Sequence, residues 1–116
     1  MTNDEIRIAV AELRGWRNVE RLKDTNGRWA IVGMTGNRNY RIPVPNYPES
    51  LDACSEFEQT LGGHKQISYG RELLQLLGFV TPPSGFYEYV TIAMATPLQR
   101  CQAFLRLHGK WKEDKQ

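Results

Sequence analysis

A chain of 116 residues with 41% apolar side chains and a formal charge of +2 is sized for one domain with its own core. The small net charge excludes the strongly basic class of nucleic-acid binders, and the longest apolar runs fall far short of a membrane span. Two cysteines, Cys54 and Cys101, do not make a secreted disulfide framework; Asp4, Glu5 and Arg7 interrupt the first apolar stretch, so no secretory leader is expected and the expected compartment is the cytoplasm.

Thr2-Asn3-Asp4-Glu5 is a capping box, and Ile6, Ala9, Val10 and Leu13 follow at helical spacing, so a helix is expected over 1–15 with Gly15 ending it. Residues 16–44 read as a hairpin region. Val19–Leu22 and Trp29–Met34 are short apolar segments around Asp24-Thr25-Asn26-Gly27, and a turn at Thr35-Gly36-Asn37 leads to Tyr40-Arg41-Ile42. Pro43, Pro45 and Pro48 then forbid regular pairing and force an extended entry to the next element.

The second helix is expected from about Glu49 to Leu61, with Pro48 in its first turn, Glu49 and Asp52 at its positive end, and Leu51, Cys54, Phe57 and Leu61 facing inward. Gly62-Gly63 reads as its stop. A shorter helix is expected over Tyr69–Leu77, closed by Gly78, and Pro82-Pro83-Ser84-Gly85 reads as a loop. Phe86–Met94 alternates aromatic and β-branched residues, a strand pattern with Met94 on one face. Thr96-Pro97-Leu98-Gln99 is a second capping box with proline at the first helical position. It opens a helix with Leu98, Cys101, Phe104 and Leu105 inward, Gly109 as its cap and Trp111 folding back. The fold class is α+β: an α-β-α layered sandwich with helices packed on a small antiparallel sheet, in one domain over 1–116 (helix 1–15, hairpin region 16–44, helix-helix-strand-helix 45–111).

The available chemistry is sparse. His64 reads as a loop residue and His108 as a cation at a helix end; cysteines on apolar helix faces read as small buried hydrophobes. Cys54, His64, Cys101 and His108 have no metal-ligand spacing, and Gly33-Met34-Thr35-Gly36 lacks the lysine and helix entry of a phosphate loop, so neither a metal nor another cofactor is expected. Asp52 and Glu56 share a helix face, most simply a solvated one. The basic residues are more informative. Arg14, Arg17, Arg21, Lys23, Arg28, Arg38 and Arg41 face only Glu20 and Asp24 in the hairpin region, with Trp16, Trp29 and Tyr40 interleaved. Guanidinium groups grip phosphates and rings stack on bases, which suits planar anionic ligands. The competing reading is a hairpin with solvated arginine faces and tryptophans in the core. Arg17, Arg21, Arg28, Arg38, Arg41, Trp16 and Tyr40 are the candidate ligand contacts.

Pro45-Asn46-Tyr47, Leu51-Asp52-Ala53-Cys54 and the segment from Ala95-Thr96 to Arg106 resemble features of the small bacteriophage family described as the phage ABA-sandwich domain. The resemblance spans about two-thirds of the chain, strongest at 43–61 and 86–111. It leaves out the arginine-rich hairpin and the helix near 69–77. It implies an α-β-α layered fold and a phage or prophage origin, and brings no catalytic residues with it.

The functional expectation is a non-enzymatic phage-type accessory protein that acts by binding in the host cytoplasm. In its concrete form it is an anti-defence protein, sequestering a nucleotide-derived immune signal or blocking a host defence protein. The expected partners are a cyclic nucleotide or ADP-ribose-type ligand, or that defence protein, with the chain as a homo-oligomer and no membrane. One alternative is a nucleic-acid-binding phage protein, against which the near-neutral charge counts. Another is a small cysteine- or metal-dependent hydrolase.

Overall fold

The computed structural model describes residues 1–78 and 93–113. Its described elements run in the order α1 (Asn3–Leu13), β1 (Arg17–Lys23), β2 (Trp29–Met34), β3 (Ile42–Pro43), a 3-10 turn (Tyr47–Glu49), α2 (Leu51–Gln59), α3 (Gly63–Leu76) and α4 (Pro97–Leu107). The strands form one antiparallel sheet in the order β1-β2-β3, and the helices pack with it, an α+β arrangement. No described helix is long and apolar enough to cross a membrane.

Both capping boxes form. The Thr2 hydroxyl accepts the Glu5 backbone N–H at 3.2 Å while the Glu5 carboxylate accepts the Thr2 N–H at 3.4 Å. Thr96 and Gln99 reciprocate at 3.1 and 2.9 Å. These bonds satisfy N–H groups that a helix start leaves without intrahelical partners.

The second helix begins later than its sequence suggests. Ser50 caps it, its hydroxyl accepting the Ala53 N–H at 3.1 Å, and Pro48 lies in the separate 3-10 turn before it. Glu49 is held in that turn, where its carboxylate accepts the Asn46 amide at 2.9 Å. Leu51 therefore sits at the first position of α2 and is 52% exposed instead of joining the inward stripe. Leu98, also expected to face inward, is the second residue of α4 and is 42% exposed.

Gly62-Gly63 opens a helix as well as following one. Gly62 caps α3 and Gly63 is its first residue, with φ +37°. α3 thus gains its first turns from an exposed stretch, the polar His64 to Gln66 followed by Ile67, and His64 lies in a helix instead of a loop. Burial of Tyr69 and Leu73 anchors the whole length, so weak local propensity is overridden. The expected Pro82–Gly85 loop lies outside the described residues, as does most of the expected Phe86–Met94 strand. Of that strand only Ala93 and Met94 are described, Ala93 helical and Met94 in an exposed turn.

Pro43 does enter the sheet, opposite Val32. The pairing survives because the bond to β2 on that side comes from the next residue, Val44 N–H to Ile31 C=O at 2.9 Å. An edge strand tolerates a proline whose missing N–H would point away from its neighbour.

The core lies among α1, the 3-10 turn and α2–α4. Phe57 stacks on Phe104 with ring centroids 4.4 Å apart and meets the edge of Tyr69 at 6.3 Å. Ile6, Val10, Val44, Tyr47, Leu73 and Leu105 complete it. Arg7 ties α1 to the end of the sheet, its Nε donating to the carbonyls of Val44 and Pro45 at 3.0 and 3.1 Å, with Nη2 also on Val44.

Candidate ligand-binding surface

The β1–β2 hairpin carries the basic and aromatic residues, and its turn is set by one aspartate. Asp24 Oδ1 accepts the backbone N–H groups of Asn26 and Arg28, both at 2.8 Å. Gly27 follows with φ +78°, while Asn26 keeps negative φ. The loop is therefore a tight turn closed by a left-handed glycine, a form that asks for glycine at that one position.

Register decides which side chains share a face. Arg21 lies opposite Ile31 and Lys23 opposite Trp29; Glu20 lies opposite Val32 and Leu22 opposite Ala30. Directly opposed residues point the same way, and successive residues along a strand point opposite ways. Ile31 is buried, so its face is the inner one, and Arg21, Lys23 and Trp29 extend that face past the core to the hairpin tip. There Trp29 is 56% exposed, with the Arg21 guanidinium 4.5 Å and the Lys23 ammonium 5.6 Å from its ring centroid. Arg21 also meets Asp4 of α1 at 3.1 Å, a half-exposed pair of small net worth.

A bulge then splits the basic run. The register shifts between Arg17 and Glu20, where Asn18 takes φ +51°, a conformation asparagine tolerates better than most residues. Odd numbering would put Arg17 beside Arg21; the bulge turns it to the outer face, opposite Met34. Arg17 holds the next loop instead, donating to the carbonyls of Gly36 at 2.8 Å and Arg38 at 3.4 Å. Trp16 packs over the backbone of Gly33, where a Cβ would meet its ring at 3.2 Å and Val19 at 3.0 Å. It is half-buried against the core, which gives it a packing role.

The remaining candidates are dispersed. Arg41 pairs with Glu20 at 3.0 Å, and the register places that pair on the outer face. Arg38 lies 5.9 Å from the ring centroid of exposed Tyr40 in the β2–β3 loop. Arg28 sits at the tip, with its side chain exposed. Of the seven expected contacts only Arg21 belongs to the inner-face cluster. Lys23 and Trp29, absent from that set, complete it; the signal for them was cross-strand pairing over the Asp24–Gly27 turn.

Elsewhere the described residues hold polar groups in structural arrangements. Tyr69 donates to Glu58 at 2.7 Å and Arg100 reaches the same carboxylate oxygen at 2.8 Å, joining α2, α3 and α4. Burial and the adjacent Glu58 push the Tyr69 phenol well above its usual range. Both cysteines are fully buried, and among the described residues no three His, Cys, Asp or Glu side chains converge to hold a metal ion. His108 stands edge-on to Phe104 with centroids 4.7 Å apart, and burial, with the charge of Lys65, lowers its pKa. That favours neutral imidazole and argues against a helix-end cation. An open groove of about 480 Å³ lies between α1 and the segment after α4, floored by Ile8, Ala9 and Leu13 and flanked by Glu5, Glu12, Lys110 and Lys112.

Comparison of the chain with protein-family models, curated proteins and solved structures finds no match to any of them.

Proposed function

We propose that this protein acts by binding, without turnover, and that the inner face of the hairpin tip takes a nucleotide-type anion. The observation that carries this reading is the grouping of two cations over an exposed indole: Arg21 and Lys23 at 4.5 and 5.6 Å from the Trp29 ring centroid. Phosphate would be met by the guanidinium and ammonium groups and a base by the open side of the ring. In its most concrete form the protein is an anti-defence factor that captures a nucleotide-derived immune signal or blocks a host defence protein. A hydrolase working through a cysteine would need a thiol open to substrate; the full burial of both thiols supports binding over that alternative.

Calorimetry at low ionic strength with cyclic dinucleotides and cyclic ADP-ribose isomers tests it. A complex is expected that Trp29→Ala, and Arg21→Ala with Lys23→Ala, weaken about tenfold or more, equivalent to about 1.4 kcal/mol. Arg41→Ala, on the opposite face, should leave the affinity unchanged. Absence of binding to every one of these compounds would overturn the nucleotide reading. Tighter binding to single-stranded oligonucleotides, falling steeply with salt, would replace it with nucleic-acid recognition.

A further inference from the structure

Cys54 on α2 and Cys101 on α4 have their sulfurs 3.9 Å apart in the core, both fully buried. They are the chain's two cysteines, so an intramolecular disulfide has a single available pairing. We propose that this pair is a latent disulfide site, which a peroxide converts to a covalent link between α2 and α4. Covalent contact requires the sulfurs to close from 3.9 Å to about 2.05 Å, by rotation of the cysteine side chains and adjustment of the helices that carry them.

The surroundings favour a reversible link. Cys54 Sγ lies 3.2 Å from the Tyr47 carbonyl and 3.5 Å from that of Pro97. With the Cys54 proton on one of these oxygens, the Cys101 S–H is left to donate to Cys54 Sγ. The dithiol therefore holds hydrogen bonds that a disulfide lacks, and stabilising the reduced form makes the oxidised form easier to reduce.

Peroxide oxidises the Cys54 thiol to sulfenic acid, and one water leaves. The Cys101 sulfur then attacks the sulfenic sulfur; the S–S bond forms, the S–O bond breaks, and the hydroxyl departs with the Cys101 proton as a second water. Two electrons pass from the two thiols to the peroxide. Cys101 is assigned the second step because its sulfur lies 3.9 Å from Cys54 Sγ with its S–H directed there, while the Cys54 S–H is held by the carbonyls of Tyr47 and Pro97. Local opening of the short helix α2 admits the oxidant and sets the rate.

The test is incubation of the folded 116-residue chain with hydrogen peroxide, a catalase quench, alkylation in denaturant and peptide mapping. The expected result is a monomer that loses both free thiols together, yields one cross-linked peptide joining Cys54 to Cys101, and recovers both thiols with dithiothreitol. Cys54→Ser and Cys101→Ser should each abolish that peptide, while the wild-type map stands independently of whether the variants fold. Both thiols remaining alkylatable after an exposure that fully oxidises glutathione would overturn the proposal. So would conversion to sulfinic or sulfonic acids, or to dimers linked between chains.

Discussion

His108 shows how one contact decides a residue's role. It caps α4, where a helix dipole favours a cation, yet burial beside Phe104 and the charge of Lys65 hold its pKa below the ordinary 6.5. The unfolded chain then takes up the proton first. Stability contributed by this group is complete above about pH 6.5 and falls as the pH drops below that value. Chemical denaturation across pH 5–8 should show the decline at the acid end, and His108→Phe should flatten it. Gly33 is decided by space: with Val19 at 3.0 Å and the Trp16 ring at 3.2 Å from a Cβ there, Gly33→Val should cost about 1–3 kcal/mol and shift Trp16 emission.

Among the elements, the hairpin turn depends on Asp24 and Gly27 more than on Asn26. Asp24→Ala removes the acceptor for two backbone N–H groups and should cost about 1 kcal/mol in a urea titration, while Asn26→Ala should cost less. The two capping boxes and the first hairpin were legible in the sequence because each rests on contacts within a few residues. The start of α2 was not, since Pro48 reads as part of its first turn whereas a separate 3-10 turn takes Pro48 and Glu49 and Ser50 caps the helix. Nor was the start of α3, because a double glycine reads locally as a stop and only the burial of Tyr69 and Leu73 makes it a beginning. The candidate site was half legible: residue types pointed to the hairpin, but the bulge at Asn18, invisible to simple alternation, moved Arg17 off the face of Arg21.

At the scale of the whole molecule, a shared carboxylate joins three helices. Glu58 accepts from both Tyr69 and Arg100, so Glu58→Ala should cost about 2–3 kcal/mol in thermal or chemical unfolding. Tyr69→Phe should cost less, because the ion pair with Arg100 survives. No periodicity could reveal this joint, since its members lie far apart in the chain.

The anchoring of α1 by Arg7 has a bearing on how the molecule is made. The carbonyls that Arg7 grips belong to residues 37 and 38 positions further on, and the apolar stripe of Ile6 and Val10 is sealed in a core shared with Phe104 and Leu105. The helix translated earliest is thus seated late: a ribosome-held chain stopped before α4 leaves that stripe uncovered, and its amide protons should exchange freely until α4 emerges.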